Sequence, residues 1–290
     1  MIKYVISENL IFNERYDISD YEIKNFNILT KTFKDINIIE IYDNKFKMLY
    51  NKNLIDEASY YGHVFVLEWL KKSKFHFKHY DNAINNASYR GHIKILEWFK
   101  NSGIELLYDE TSIDNAALNS HIHILEWFKN SNLEFKYTKN AINNASYFGY
   151  VQVLEWFKNN YDIKYDKNAI HNASKNGHVE ILKWFKKNNF NIDYDEMAII
   201  SASSNGHVKI LEWFKNSELE FKYNEKAIND ASMNGHIEIL EWFKNSGFEF
   251  KYDKTQIPFT YYENVLSWFD NNGYGYDKKI KRDLNIFNKN

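Results

Sequence analysis

The sequence predicts an all-α solenoid of stacked helix pairs, and three observations predict it. The eight tryptophans, Trp69, Trp98, Trp127, Trp156, Trp184, Trp213, Trp242 and Trp268, follow one another at steps of 29, 29, 29, 28, 29, 29 and 26 residues. Each lies in or near a run like Ile95-Leu96-Glu97-Trp98-Phe99-Lys100, whose apolar residues fall on one helical stripe. Ahead of most of these runs stands a small pair and then a glycine, as in Ala87-Ser88 and Gly91, so one period holds two helices and a tight turn. A sustained period outranks length as a guide to domain count, and the 290 residues read as one array.

The elements follow in order. Residues 1–49 read as a leader plus a degenerate N-terminal capping repeat. In it, Ile36-Asn37-Ile38-Ile39-Glu40-Ile41-Tyr42 matches the later Ile-Lys-Ile-Leu-Glu-Trp-Phe in character, and Lys34-Asp35 replaces the turn residues. Seven fuller repeats fill residues 50–251, beginning near Tyr50, His79, Tyr108, Tyr137, Tyr165, Tyr194 and Tyr223. In the repeat from Tyr137, Thr138 stands where a helix N-cap is needed, and Asp166, Asp195 and Asn224 hold the same place. The first helix turns Ala141, Ile142 and Ala145 inward, and Ala116-Ala117, Ala173-Ser174, Ala202-Ser203 and Ala231-Ser232 repeat the small pair. Gly149 ends it, as do Gly62, Gly91, Gly177, Gly206 and Gly235, with Ser120 the exception.

The second helix carries Val153, Leu154, Trp156 and Phe157, a stripe wide enough to be covered on two sides. An alternating segment such as Leu133-Glu134-Phe135-Lys136 then forms an extended connector. Residues 252–290 read as a degenerate repeat and C-terminal cap, where the single proline, Pro258, interrupts the small-residue helix. One repeat has too little core to stand alone, so stacking and polar caps supply the stability.

The run Ala-Ile-x-x-Ala-Ser-x-x-Gly-His-x-x-Ile-Leu-Glu-Trp-Phe-Lys-Asn-Ser-Gly resembles the ankyrin repeat, from about Tyr50 to Lys251 and more weakly in the flanks. Among ankyrin arrays it is most similar in flavour to those of giant DNA viruses of amoebae, which share shortened repeats and an Asn, Ile, Lys and Tyr-rich composition. The period falls about four residues short of the ankyrin value of about 33, and the Thr-Pro start is missing. The resemblance therefore implies an ankyrin-type solenoid with shortened or absent β-turn fingers, acting as a non-enzymatic protein-protein interaction scaffold. A leucine-rich array shares the period but not the residue pattern.

Composition sets further bounds. A hydrophobic fraction of 44% supplies a core, and a formal charge of −2 favours neither nucleic acid nor an anionic membrane. There is no cysteine, which excludes disulfides and thiol chemistry, and no apolar run approaches a membrane span. These features predict a soluble, intracellular, monomeric protein, cytoplasmic or host-cytoplasmic if viral, with no cofactor and no metal. No His-Glu-x-x-His, Gly-x-x-x-x-Gly-Lys-Ser/Thr or Gly-x-Ser-x-Gly run appears, so no catalytic residue is assigned.

Several recurring residues invite a functional reading. His63, His92, His121, His178, His207 and His236 follow the turn residue, at least one repeat apart, which is too far for a shared metal and suits hydrogen bonds between repeats. The tryptophan ladder, beside Ile, Leu and Phe, reads as core rather than as a platform for bases. Asn86, Asn115, Asn144 and Asn172 lie within the first helix, where an amide bonds either to neighbouring backbone or to a ligand.

Function is sought where the repeat does not repeat. Just before the turn, Tyr60-Tyr61, Tyr89-Arg90, Leu118-Asn119 and Tyr147-Phe148 give way to Lys175-Asn176, Ser204-Asn205 and Met233-Asn234, and Tyr150 replaces a histidine. Aromatics and arginine dominate interface hot spots, so Tyr60, Tyr61, Tyr89, Arg90, Leu118, Tyr147, Phe148 and Tyr150 are the candidate protein-binding residues. Two alternatives accompany this reading. One is an adaptor bringing a host protein to a degradation or signalling complex, with residues 1–49 binding a second partner. The other is nucleic-acid or anion binding through Lys71, Lys72, Lys74 and Lys78, and through Lys278, Lys279, Lys281 and Arg282.

Overall fold

A computed structural model of the protein describes residues 2–4, 39–42, 45–48, 54–72 and 80–280. They divide into two compact units, Met1–Ala141 and Ile142–Asn290. In the first unit, strands β1 (Ile2–Tyr4), β2 (Ile39–Tyr42) and β3 (Lys45–Met48) form an antiparallel sheet in the order β1-β2-β3, with Ile41 opposite both Ile2 and Phe46. This departs from the helical reading of the N-terminal cap. Ile39-Glu40-Ile41-Tyr42 alternates apolar and polar residues with a β-branched or aromatic residue at nearly every apolar position, and that pattern fits a strand as well as a helix turn. The matching residues 36–38 and the lead-in at Tyr50 and His79 lie outside the described residues.

The rest is an all-α solenoid of helix pairs. The first unit holds α1 (Leu54–Tyr60), α2 (Val64–Lys72), α3 (Ala83–Arg90), α4 (Ile93–Ser102), α5 (Glu110–Leu118) and α6 (Ile122–Asn130). First helices α1, α3 and α5 pack on one another in sequence, as do second helices α2, α4 and α6. Helix α7 (Asn140–Phe148) contains the unit boundary. The second unit continues with α8 (Val151–Asn160), α9 (Lys167–Lys175), α10 (Val179–Lys187), α11 (Glu196–Ser204), α12 (Val208–Lys215), α13 (Lys226–Met233) and α14 (Ile237–Ser246). A 3-10 turn, Ile257–Phe259, and α15 (Glu263–Asn271) complete it. Here α9, α11 and α13 form one layer and α8, α10, α12 and α14 the other.

Local chemistry explains where these helices begin and end. Asp166 and Asp195 accept from the backbone N–H two residues on, at 2.9 and 3.0 Å, and Thr138 and Asn224 do the same at 3.1 and 3.0 Å. Ser120 takes the left-handed turn conformation, φ 55°, that the glycines adopt elsewhere. The connectors are extended without strand pairing, so the β-turn finger is absent from the described repeats. Several are tied by the tyrosine hydroxyl that opens the same repeat, as in Tyr165 to the Asn191 carbonyl at 2.8 Å and Tyr223 to the Glu249 carbonyl at 2.6 Å.

The core has a different ranking from the one tryptophan suggests. Phe99 and Phe128 in the first unit, and Phe157, Phe185, Phe214, Phe243 and Phe269 in the second, are wholly buried. The tryptophans beside them sit at the edge of the second-helix layer, and several reach a polar partner. Trp98 Nε1 donates to Glu68 at 2.6 Å, Trp184 to Glu155 at 2.7 Å and Trp242 to Glu212 at 2.7 Å. The glutamate of Ile-Leu-Glu-Trp-Phe therefore anchors the tryptophan of the following repeat.

The asparagines and histidines link repeats in the same way. Asn86 Nδ2 donates to the Asp56 carbonyl at 3.1 Å, and Asn172 Nδ2 to the Asn143 carbonyl at 3.1 Å. His121 Nε2 donates to the Tyr89 carbonyl at 3.1 Å, and the neighbouring His123 to that of Gly91 at 2.9 Å. Among the described residues no group of three or more His, Asp or Glu side chains is arranged to hold a metal ion.

These histidines predict an acid sensitivity. Burial holds His63, His92, His121, His171 and His207 below the ordinary histidine value of 6.5. The folded state then binds fewer protons than the unfolded one, so their contribution is complete above pH 6.5 and is lost as pH falls toward the depressed values. Asp56 acts in the opposite sense: burial raises it to about 6, so protonation favours the folded state between about 6 and its ordinary 3.8. The histidine effect is thus confined to the interval from about pH 6.5 downward. The thermal midpoint is expected to fall across that interval, and less steeply in His207→Gln; an unchanged slope would remove the histidine term.

Candidate protein-interaction site

The first helices bury their small residues against one another, which leaves their last turn projecting beside the tight turn. Tyr60-Tyr61, Tyr89-Arg90, Leu118 and Tyr147-Phe148 occupy that last turn or the residue just after it. In the first unit the Tyr60 ring is the centre of a cluster. Tyr61 meets it edge-on at 5.1 Å, Tyr89 lies parallel to it at 6.3 Å, and the Arg90 guanidinium carbon sits 4.9 Å over its face. Tyr61 also stacks on His63 at 6.0 Å. Tyr60 is half-buried by these neighbours, whereas Tyr61 and Tyr89 remain 46% and 36% exposed. Leu118 is half-buried at the corresponding place on α5.

Tyr147, Phe148 and Tyr150 form a cluster of their own in the second unit. The Tyr147 and Phe148 rings meet edge-on at 4.8 Å, and Phe148 stacks on Tyr150 at 5.7 Å. Tyr147 and Phe148 are 38% and 44% exposed, while Tyr150, at the N-terminus of α8, is half-buried. Ring-on-ring contacts fix these side chains before any partner arrives, so little side-chain entropy is lost on binding.

Sequence reading missed a third aromatic group. Around the 3-10 turn, Phe259 and Tyr262 are partly exposed and Tyr261 is almost fully exposed. Thr260 Oγ1 donates to the Ser232 carbonyl at 2.8 Å, and the Tyr262 ring lies over Gly235 where other repeats place a histidine. The irregular Pro258 repeat was the visible signal, read there as a cap alone. Of the lysine clusters, Lys71 and Lys72 are exposed, and Lys278 is paired with Asp270 at 2.8 Å. Lys74, Lys78, Lys281 and Arg282 lie outside the described residues. No helix among the described residues is long and apolar enough to cross a membrane.

A family model described as ankyrin repeats, three copies, matches residues 142–220 and 170–255. No curated protein matches the chain. Among solved structures, the ankyrin repeat domain of human ASB11 is similar at 15% sequence identity and a TM-score of 0.48, over 64% of this chain and 96% of that one.

Proposed function

We propose that the chain is a non-enzymatic protein-interaction scaffold that grips its partner through the exposed aromatics at the ends of its first helices. The observation that carries this reading is the set of pre-stacked, exposed rings, Tyr61 and Tyr89 in one unit and Tyr147 and Phe148 in the other, at positions the repeat itself does not require. Elsewhere the same register holds Lys175, Ser204 and Asn205 without loss of the helix pair. Ankyrin repeats, to which residues 142–255 are matched, mediate protein-protein contact, which supports the assignment.

The test is capture of partners from the native cell on the full chain, followed by quantitative binding of the recovered protein. Tyr147→Ala with Phe148→Ala, and separately Tyr89→Ala, are expected to weaken binding by about 1–2 kcal/mol per hot-spot ring, roughly tenfold each. Thermal midpoints should change little, because exposed substitutions cost about 0.5 kcal/mol or less. Lys175→Ala is the control and leaves binding unchanged. Unaltered affinity in both aromatic variants, with the fold intact, removes the aromatic surface as the site.

A further inference from the structure

We propose that a groove in the second-helix layer of the second unit, between α10 and α12, binds a carboxylate side chain presented by an acidic segment of a protein partner. The chain itself supplies the template. In the second unit Glu155, Glu212 and Glu241 each accept from the indole N–H of the next tryptophan, Trp184, Trp242 and Trp268, at 2.7, 2.7 and 2.5 Å. Glu155 and Glu241 also lie 3.5 and 3.9 Å from the lysine three residues on, Lys158 and Lys244. One carboxylate thus joins an indole N–H and an ammonium in two of these repeats.

At Trp213 that carboxylate is missing, because residue 183 is a lysine where its neighbours have glutamate. The Trp213 indole N–H has no hydrogen-bond partner among the described residues. Lys186, which would share the glutamate, donates instead to the Ser217 carbonyl at 2.7 Å. Lys183 turns to Glu180 at 2.8 Å, in a pair with both side chains more than half exposed. A groove of about 340 Å³ is left there, lined by Val179, Lys183, Lys186, Lys209, Trp213 and Ser217.

Glu212 and Asn216 complete the lining, but the Glu212 carboxylate is already occupied, accepting from Trp242 and from Asn216 Nδ2 at 3.0 Å. Lys183, paired with Glu180, Lys186, bonded to the Ser217 carbonyl, and Lys209 therefore line the groove beside one committed carboxylate, Glu212, and an unused indole donor. The indole donor that other repeats satisfy with a glutamate here awaits a carboxylate from outside, and Lys183, Lys186 and Lys209 add the positive field that draws an acidic segment in. A phosphate backbone fits less well, since the chain's net charge is −2 and the template for this donor pair is a carboxylate.

The experiment follows the eight indole N–H signals of the full chain, labelled with 15N-tryptophan, as an acetylated and amidated hexaglutamate peptide is added. Trp213→Phe identifies its signal. Hexaglutamate is expected to shift the Trp213 signal saturably while the other indoles stay in place, and hexalysine to shift nothing. Lys183→Glu supplies the missing carboxylate from within: it should move the Trp213 signal without peptide and weaken hexaglutamate binding at least tenfold, with the remaining indoles marking an intact fold. The proposal fails if Trp213 does not respond, if its response never saturates, or if Lys183→Glu binds the peptide within twofold of the parent. It fails in favour of nucleic acid if hexathymidylate moves the Trp213 signal at lower concentration than hexaglutamate.

Discussion

Phe214→Ala is expected to lower the stability of the chain by about 3–5 kcal/mol, the range for truncating a buried phenylalanine. Phe214 is wholly buried in α12, with the Trp213 ring edge-on at 5.0 Å and the Tyr194 ring at 4.6 Å. The cavity cannot collapse easily, because its walls are held independently. Tyr194 is tied through its hydroxyl to the Glu220 carbonyl, and the Phe214 carbonyl itself accepts from Ser217 Oγ at 2.7 Å. Phe214→Leu fills most of the space and should cost about 1.5 kcal/mol or less.

Stacked repeats take their stability from nearest-neighbour interfaces. The Phe214→Ala defect should therefore broaden or split the urea transition followed by tryptophan fluorescence, beyond merely shifting it. A loss below about 1 kcal/mol would mean that the phenylalanine layer repacks, and that the buried ladder is less rigid than its geometry implies.

The regular parts of this fold were legible because each apolar choice recurs in register. The period placed the helix pairs, and Thr138, Asp166, Asp195 and Asn224 marked where helices begin, each by an oxygen that accepts the first free amides. The N-terminal segment was less legible. Ile39-Glu40-Ile41-Tyr42 satisfies a helix stripe and a strand alternation equally over four residues, and although β3 follows it closely, its other partner, β1, is distant in sequence.

The glutamate of the repeated run was the clearest oversight. Its spacing shows a helix position, but its purpose depends on an indole about 29 residues away, and only the stacked geometry brings them to 2.7 Å. Once that bond is known, Lys183 stands out in the sequence as the place where the pattern breaks. The aromatic residues before the turns were found by the same logic, as departures from a rule. What no pattern could supply was their separation into a Tyr60-centred cluster and a Phe148-centred one, which belong to different units.

Gly177→Ala is expected to cost about 2–5 kcal/mol, the sum of two separable effects. The first is backbone strain: Gly177 has φ of 74°, a left-handed conformation that costs an L-residue about 1–2 kcal/mol. The second is steric. A Cβ at Gly177 would lie 2.8 Å from His207 Nδ1, and that imidazole is not free to yield, since it is bonded to the backbone of Lys175. Overpacking of this kind adds about 1–3 kcal/mol.

Gly247 separates the two. It ends α14 with φ of 84°, but a Cβ there meets nothing within 4 Å, so Gly247→Ala should show the backbone cost alone. Removing the ring should then recover the steric part. In the cycle of Gly177→Ala and His207→Ala, measured by chemical unfolding, the two losses are expected to fall short of additivity by about 1–2 kcal/mol. Equal losses for Gly177→Ala and Gly247→Ala, with an additive cycle, would reduce the glycine to a turn residue and nothing more. A positive coupling makes the glycine of one repeat and the histidine of the next a single fitted pair. The two residues then recur together because neither is useful to the stack without the other.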